Sequence, residues 1–313
     1  MLALALVLDA VIGEPAPLWK RVPHPIVLMG RLVDMLDEGL NTGRFRYLRG
    51  VAAVIILVLA TGAPALLLSI DLFAGIVELL LAAVLLAHRS LVDHVTAVAD
   101  GLSKSLEEGR AAVAHIVGRD TQVLDEAGVA RAAIESGAEN FSDGVVAPAF
   151  WFLLLGLPGI VIYKAVNTAD SMIGHRTERH GRFGWAAARL DDGLNFVPAR
   201  LTAGLIALAG ALAGSGGVEA LRVAARDGWL HRSINAGWPE AAMAATLGVA
   251  LAGPRHYGGA LTDDPFMNPA GRKTLGAKDI RASVTVLWRA WGLLLAVVAV
   301  LWVLAFAVRY LFA

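Results

Sequence analysis

One stretch of the chain, residues 131–200, places an apolar run between two groups of polar side chains. Before the run, Glu135, Glu139 and Asp143 recur at every fourth position, so a helix would carry them on one slowly drifting face. Charged groups beside hydrocarbon cost free energy, and a purely structural membrane segment does not need them. The pattern therefore predicts a functional acidic face that leads into a membrane-embedded segment.

A second polar face with helical spacing follows the apolar run. It consists of Tyr163, Asn167, Asp170 and Gly174. The run itself, residues 144–166, contains the sequence Gly-Leu-Pro-Gly at 156–159, which is a strong turn signal. This turn leaves two pieces of about 10–12 residues, each shorter than the roughly 20 residues that cross a bilayer. We expect a re-entrant or broken helical hairpin near 144–166 that returns both polar faces to one side of the membrane. The alternative, one tilted and kinked transmembrane helix, would place them on opposite sides.

The other apolar segments predict an all-α, polytopic integral membrane protein. Segments 50–70 and 73–87 join at Asp71 as a helical pair, and residues 284–309 form a further span. Together these segments give about four or five transmembrane helices. An excess of arginine marks the cytoplasmic end of a span, and the first segment is preceded by Arg44, Arg46 and Arg49.

These segments also suggest how the chain is organised. We interpret residues 1–313 as one membrane-embedded domain. Within it, residues 88–143 would form the main cytoplasmic helical insertion, with an apolar helix face at Val92, Val95, Val98, Ala99 and Leu102. Residues 167–198 and 253–283 would form polar loops.

Composition agrees with a membrane protein and excludes several kinds of function. Of the 313 residues, 57% are hydrophobic and 17% are charged, against about 25% charged residues in average soluble chains. The formal net charge is zero, so no overall positive field favours a nucleic-acid partner. The chain has no cysteine, which excludes disulfides, thiolate catalysis and cysteine-ligated metals.

Carboxylates, amides and arginines remain as the candidate chemistry, because the sequence lacks the phosphate-binding loop, the nucleophile elbow and the zinc-protease motif. Carboxylates favour a hard cation such as Mg²⁺, usually shared with substrate phosphates. The candidate metal ligands are Glu139, Asp143 and Asp170. Arginine suits phosphate because its planar fork makes two bonds, although an arginine-rich loop can also be a simple topological signal. The candidates for binding phosphate or nucleotide are Lys164, Ser171, Arg176, Arg179, Arg182 and Arg189.

Long motifs at these positions resemble those of a known family. They are GEP at 13–15, PHPIVLMGRL at 23–32, ESGAENFSDGVVAPAFW at 135–151, YKAVNTADSMIGHRTERHGRFGWAAARLDDGLNFVPARLTA at 163–203 and AGWPEAAMAATLGVALAGP at 236–254. They are similar to the adenosylcobinamide-phosphate synthase, or cobinamide synthase, family of cobalamin biosynthesis. The resemblance covers most of the chain, and its central motifs are long and specific.

The resemblance implies a ligase that uses ATP and Mg²⁺ to form an amide bond. The amide would join aminopropanol, or aminopropanol phosphate, to a propionate carboxylate of adenosylcobyric acid. From the resemblance together with the arginines at 44, 46 and 49, which mark a cytoplasmic end, we expect a multi-pass protein of the inner cell membrane with its active site facing the cytoplasm. Its partners would be the lipid bilayer and other membrane-associated enzymes of the pathway.

The chemistry of that reaction, rather than the resemblance, suggests individual roles. We assign catalysis to Glu135, Glu139, Asp143, Asp170 and Asp192. We assign contacts with the substrates to Asn140, Asn167, Trp185, Asn195 and Trp238.

Two other functions stay open on the sequence. A corrinoid or metal transporter would use the same intramembrane polar residues, but it should have an inverted repeat or paired broken helices, and one broken segment is found. A membrane CDP-alcohol phosphotransferase is a weaker alternative. Asp191-Asp192-Gly193 with Arg200 resembles its signature, but the spacing and the downstream acids differ.

Overall fold

A computed structural model describes residues 1–70, 74–118, 120–257, 260–262 and 264–311. The predicted link at Asp71 lies outside the described residues. Helices dominate, in the order α1 (Leu2–Ile12), α2 (Ala16–Trp19), α3 (Pro25–Leu40), α4 (Arg46–Leu68), α5 (Ala74–Leu85), α6 (His88–Lys104), α7 (Leu106–Val113), α8 (Glu126–Phe141), α9 (Ala147–Ile173), α10 (Trp185–Ala211), α11 (Gly217–Asp227), α12 (Gly237–Leu247) and α13 (Ala277–Leu311). Short strands β1 (Leu251–Ala252) and β4 (Phe266–Met267) pair with each other, as do β2 (Arg255–Tyr257) and β3 (Ala260–Thr262).

The predicted all-α membrane architecture is confirmed. In the described chain, five helical stretches are long and apolar enough to cross a membrane: Arg46–Leu68, Gly75–Lys104, Glu126–Ile173, Trp185–Ala211 and Ala277–Val308. The third stretch is not one straight crossing, because it contains a π-helical turn at Ser142–Val146 and a backbone break inside α9.

The predicted hairpin is confirmed at Gly156. This glycine has φ 65° and ψ −150°, a conformation that is essentially restricted to glycine. It divides α9 into a first arm, 147–155, and a second arm, 157–173. Pro158 lies in the first turn of the second arm, where its missing N–H interrupts no helical bond.

The two arms lie side by side. A Cβ atom added to Gly159 would lie 2.2 Å from the backbone oxygen of Trp151, so the backbones touch just beyond the turn. Farther along, the hydroxyl of Tyr163 lies 3.1 Å from the backbone oxygen of Asp143. An unbroken helix would separate residues 20 positions apart by about 30 Å. The continuous kinked helix is therefore ruled out.

The chain divides into two compact units. Unit 1 contains Met1–Ala87 and Asp143–Phe196, and unit 2 contains His88–Ser142 and the chain from Val197 onward. In unit 1, α4 packs closely through glycine. A Cβ on Gly50 would lie 2.0 Å from the backbone oxygen of Phe183, and one on Gly62 would lie 2.8 Å from Cδ1 of Ile162.

Unit 2 is built on amphipathic helices. The predicted apolar face of α6 is buried, with Val95, Val98 and Ala99 fully inaccessible. The first half of α13 adds Ile280, Leu287 and Ala290 to the core, whereas residues 300–308 are exposed.

The predicted polar loops are shorter than expected. Helix α9 continues to Ile173 and α10 begins at Trp185, so the connection is 174–184 rather than 167–198. The stretch 253–283 contains β2, β3 and β4, and α13 already begins at Ala277. In both places the helix includes polar residues whose side chains have partners on other segments: Asn167 donates to Asp191 on α10, and Asp279 accepts from Arg272.

Candidate functional site

A buried network of polar side chains joins the second arm of α9 to the first turns of α10. Asp191, 8% exposed, accepts hydrogen bonds from the side-chain amides of Asn167 at 3.2 Å and Asn195 at 2.9 Å. The hydroxyl of Tyr163 donates to Oδ1 of Asn195 at 2.8 Å. The predicted substrate residues Asn167 and Asn195 are thus brought together around Asp191, a carboxylate that the sequence analysis did not select.

Lys164 lies beside this network and is 7% exposed. The charges that act on its ammonium group are the carboxylates of Asp143, Asp191 and Glu14. A buried ammonium among carboxylates favours ion pairing, because an isolated charge would be costly in a poorly solvated site. The sequence predicted Lys164 as a phosphate ligand. The structure gives it acidic neighbours in the protein, and its contact with phosphate stays a prediction.

Two further carboxylates adjoin Asp191. The charge of Asp170 acts on Asp191, and that of Asp192 acts on Asp170. The carboxylate of Asp170 lies against Gly174, where an added Cβ would come within 1.9 Å of its Oδ1. Asp192 also pairs with Arg189 at 3.0 Å on the outer side of α10.

The arrangement of these acids limits how a metal would bind. Within the described chain, no group of three or more histidine and acidic side chains is arranged to hold a metal ion. Asp143 and Asp170 belong to unit 1 and Glu139 to unit 2. Their joint binding of Mg²⁺ stays a prediction. The carboxylate and amide oxygens around Asp191 are nonetheless the hard donors that Mg²⁺ accepts together with substrate phosphates.

Arg179, predicted as a nucleotide ligand, pairs with an acid of the protein, and its contact with phosphate stays a prediction. Its guanidinium donates to Oδ2 of Asp37 from Nη2 at 2.6 Å and from Nε at 3.2 Å. His180 and Asn41 also bond to this carboxylate, at 3.2 Å and 2.7 Å. Burial alone would raise the pKa of Asp37, but the hydrogen bonds from Asn41, Arg179 and His180 outweigh it and lower the pKa. The contact ties the loop 174–184 to α3, so Arg179 supports the loop.

The other predicted phosphate ligands are less constrained. Arg176 and Arg182 are exposed on the same loop. The hydroxyl of Ser171 donates to the backbone oxygen of Asn167 at 3.0 Å, one helical turn earlier. None of these contacts tests a phosphate role.

In unit 2, one residue of the predicted acidic face of α8 makes a structural contact. Glu135, 4% exposed, accepts the backbone N–H of Ala252 at 2.7 Å. The amide of Asn140 donates to the backbone oxygen of Ser136 at 2.9 Å. Glu139 is half-buried on the same helix. Glu135 thus positions β1, which gives its burial a reason other than catalysis.

The two predicted aromatic contacts lie in different surroundings. Trp185 is 47% exposed and meets Tyr47 edge to face. Trp238 packs against Trp229, with the guanidinium of Arg200 4.6 Å from its ring centroid. Arg200 also donates to Oδ1 of Asn235 at 2.6 Å. An exposed Trp185 is free to contact a ligand, whereas Trp238 takes part in an ordered aromatic cluster.

Sequence reasoning missed Asp191, and it missed Glu14 and His24, whose charges interact with that of Lys164. It also missed Asp37, which holds Arg179. His24 caps α3 by accepting the backbone N–H of Ile26 at 3.2 Å, and burial lowers its pKa although Glu14 acts in the opposite direction. The signal was present, since Glu14 and His24 lie in the GEP and PHP motifs that carry the resemblance.

Comparison with known proteins adds a strong relationship. The model of the family described as CobD/Cbib protein matches residues 2–287. A cobalamin biosynthesis protein CobD from Rhizobium meliloti (strain 1021) is 51% identical over 303 residues, which cover 93% of this chain and 92% of that protein. The protein of the same name from Rhodobacter capsulatus is 46% identical over 311 residues, or 96% of this chain and 98% of that one. No solved structure matches.

Proposed function

This chain belongs to the CobD/CbiB family and is an enzyme of cobalamin biosynthesis, and we propose that it catalyses the formation of an amide bond. The acid would be a propionate carboxylate of adenosylcobyric acid, and the amine would be aminopropanol or aminopropanol phosphate. The reaction would consume ATP and require Mg²⁺.

The observation that carries the proposal is the buried network around Asp191. The hairpin turn at Gly156 brings Tyr163 beside the backbone of Asp143, and the second arm then places Lys164 and Asn167 against α10. Ionisable groups in membrane-embedded segments are costly and are usually retained for function. A network of both charge signs beside an apolar surface suits a substrate that is large, partly apolar and carries carboxylates.

The chemistry asks for groups of this kind. A carboxylate does not react with an amine until one of its oxygens becomes a leaving group, and transfer of a phosphoryl group from ATP would do this. The amine must attack as the neutral base, so a nearby carboxylate has to accept its proton. Asp191 is suited to that role, because its two amide donors hold it in place. Lys164 would orient the anionic carboxylate of the substrate.

The oxygen donors fit Mg²⁺ that arrives with the nucleotide. Asp170 and Asp191 are electrostatic neighbours, and Asn167, on the same helix as Asp170, donates a hydrogen bond to Asp191. Two carboxylates and an amide are too few ligands for an ion that is held by the protein alone. Mg²⁺ that binds together with phosphates, however, usually takes only one or two carboxylates from the protein. When bound, the ion would offset the charge of the phosphates.

The site is proposed to face the cytoplasm. Arg44, Arg46 and Arg49 stand at the start of α4, and the arginine-rich loop 174–184 packs on the same end of that helix through Gly50. Positive charge is concentrated on cytoplasmic ends of membrane helices. ATP would be available on this side, as would the other enzymes of the pathway that we propose as partners.

Activity assays on the purified full-length protein test the proposal. The wild type should convert adenosylcobyric acid and aminopropanol, or its phosphate, into an amide, with ATP turnover that depends on both and on Mg²⁺. Asp143→Asn and Asp170→Asn should each lower the rate and raise the Mg²⁺ concentration needed. ATP turnover without amide product, or corrinoid uptake into vesicles without ATP, would contradict the ligase and favour the transporter. Near-normal rates in both variants would make these carboxylates structural.

A further inference from the structure

A cavity of about 600 Å³ lies in unit 1 beside the start of α4. Its charged lining comes from two separate segments of the chain. Arg44 and Arg46 lie at the start of α4, and Arg182 lies in the loop 174–184 with Thr177 and Glu178. Two glycines complete the wall. We call this the arginine cavity.

The local packing explains why these segments meet. Gly50, one turn into α4, is in direct backbone contact with Phe183, since a Cβ at Gly50 would lie 2.0 Å from the oxygen of Phe183. Phe183 is buried and directly follows Arg182. Burying this phenylalanine against α4 therefore turns the preceding arginine toward the start of the helix. Asp37 fixes the other side of the loop through Arg179.

The three arginines of the cavity differ from their neighbours in what they bind. Arg49 donates to Thr42, and Arg179 donates to Asp37. Among the described residues, no ion pair or side-chain hydrogen bond involves Arg44, Arg46 or Arg182. Glu178 is the one acid among the described lining residues, so three positive charges face one negative charge. The cavity therefore has an excess of two positive charges.

The start of α4 adds to the attraction for anions. Arg46 is the first residue of a helix of 23 residues, and neither an acidic residue in its first turn nor a side-chain cap occupies the free N–H groups. Such a helix end attracts negative charge. A topological signal alone would not require arginines from two distant segments to converge on one cavity.

We propose that the arginine cavity binds the phosphate groups of a substrate through Arg44, Arg46 and Arg182. The inference rests on the proposed ligase function. The phosphates would be those of the nucleotide or the single phosphate of the amino alcohol. The volume lies within the range of about 300–1,000 Å³ typical of small-molecule sites, so it is large enough for a nucleotide. Arginine is suited to this task because its fork binds two phosphate oxygens at once.

Binding measurements on the full-length protein in lipid nanodiscs test the assignment. The probes are Mg·ATP, ADP, AMP, aminopropanol and aminopropanol phosphate. The variants are Arg46→Gln, Arg182→Gln and, to retain charge without the fork, Arg46→Lys. The matched control is Arg222→Gln, which removes one positive charge from a side chain that is 74% exposed on α11. Thermal unfolding reports whether each variant keeps its fold.

The expected result is a loss of affinity of about tenfold for each Gln variant, as for one charged hydrogen-bonded contact. The control should bind like the wild type. If the nucleotide is the ligand, affinity should fall from ATP to ADP to AMP. The differences in affinity among these three nucleotides should be smaller in the Gln variants than in the wild type. If the amine is the ligand, only binding of aminopropanol phosphate should weaken, while aminopropanol is unaffected.

Unchanged affinity for every soluble probe in folded Gln variants would overturn the proposal. Reduced binding to vesicles of anionic lipid, with no change for soluble probes, would overturn it as well and assign the arginines to lipid headgroups. Should one Gln variant fail to fold, the other Gln variant decides, and wild-type affinity in Arg46→Lys would rule out only the two-bond contact at Arg46. Amide formation by the wild type is measured separately. If the wild type forms the amide but the variants bind every probe normally, only the proposed role of the arginine cavity is refuted. If the arginine cavity binds phosphate but the wild type forms no amide, only the proposed ligase function is refuted.

Discussion

Two buried acids, Asp191 in unit 1 and Glu135 in unit 2, can be compared by the hydrogen bonds that they accept. Glu135 accepts a backbone N–H, that of Ala252, and so fixes the path of β1. Asp191 accepts from the side-chain amides of Asn167 and Asn195 and lies beside Lys164. Side-chain partners can rearrange around a ligand, whereas a backbone partner cannot leave without local unfolding. Burial of an acid therefore does not by itself identify a catalytic group, and the bond from the backbone N–H of Ala252 gives Glu135 a structural role.

The backbone at Ala252 strengthens the structural reading of Glu135. Ala252 has φ 58°, in the left-handed region that non-glycine residues rarely adopt. The hydrogen bond from its N–H to a buried carboxylate helps to hold this conformation. Glu135 was predicted to be catalytic because of its spacing from Glu139 and Asp143, and spacing does not reveal such a partner.

The largest expected effect is that of Asp191→Asn. It keeps the size of the side chain but removes the group proposed to accept the proton, so amide formation should fall about 100-fold or more. The rate of amide formation at saturating substrates measures this. Asp93→Asn, in an exposed ion pair on α6, is the control and should retain the wild-type rate. An Asp191→Asn protein that is folded and works at a near-normal rate would remove Asp191 from the mechanism.

The opposite outcome is expected for Glu135→Ala. It leaves the buried N–H of Ala252 without its acceptor, which should lower the free energy of unfolding by about 1–3 kcal/mol. The rate per folded molecule should stay unchanged. Glu135→Gln retains a carbonyl oxygen and should be milder. Thermal unfolding and active-site-normalised rates measure the two effects, and a tenfold rate loss at unchanged stability would restore the catalytic assignment.

The Arg→Lys variants at 176, 179 and 182 separate the arginines of the loop. Lys at 182 should raise the KM for ATP or for aminopropanol phosphate, whichever the cavity binds, or lower kcat by about tenfold, because it loses the two-bond contact with phosphate. Lys at 179 should instead lower stability, since Arg179 bonds Asp37 twice. Lys at 176 has no cavity contact to lose and should change neither. Equal effects on KM at 179 and 182 would contradict the division between support and binding.

The smallest expected effect concerns stability at acid pH, and it is compared for one hydrogen-bonded acid in each unit. Hydrogen bonds from Asn41, Arg179 and His180 lower the pKa of Asp37 despite its burial, and bonds from Arg226 and the N–H of Asn268 lower that of Asp227. A lowered folded-state pKa gives stability that is present above the ordinary pKa and is lost as pH falls through the folded-state value.

Melting temperature should therefore fall as the pH decreases below about 4. Asp37→Asn and Asp227→Asn should each be less stable at neutral pH and should show a shallower fall. Asp93→Asn should keep the wild-type profile, since its exposed pair is well screened. If the melting temperature of a variant falls with pH in parallel with that of the wild type, the hydrogen bonds to that acid contribute little to stability.

The sequence predicted the hairpin because a local rule governs it. Gly156 and Pro158 restrict their own backbones, and no distant partner is needed. Helical spacing likewise predicted the face with Tyr163 and Asn167. It did not distinguish Asp191 from Asp192, because adjacent residues on a helix point about 100° apart and the inward one is known only from its partners.

Contacts between distant segments could not be predicted. Asp37 and Arg179 are 142 positions apart, and no local pattern links them. For the same reason the arginines 44, 46 and 182 were read as separate signals. The metal and nucleotide assignments remain predictions, since they concern ligands that add their own contacts.

The first half of helix α13 adds side chains to the protein core, whereas residues 300–308 are exposed. The 35 residues of α13 extend for about 52 Å, well beyond a hydrocarbon layer of about 30 Å. Buried side chains continue along the helix to Val298, whereas residues 300–308 are exposed on every face. A surface of this kind is constrained by hydrophobic length and not by the shapes of its side chains. These last turns should therefore accept any apolar sequence of equal length, which makes them a part of the molecule that can adapt to a thicker or thinner bilayer without altering the site.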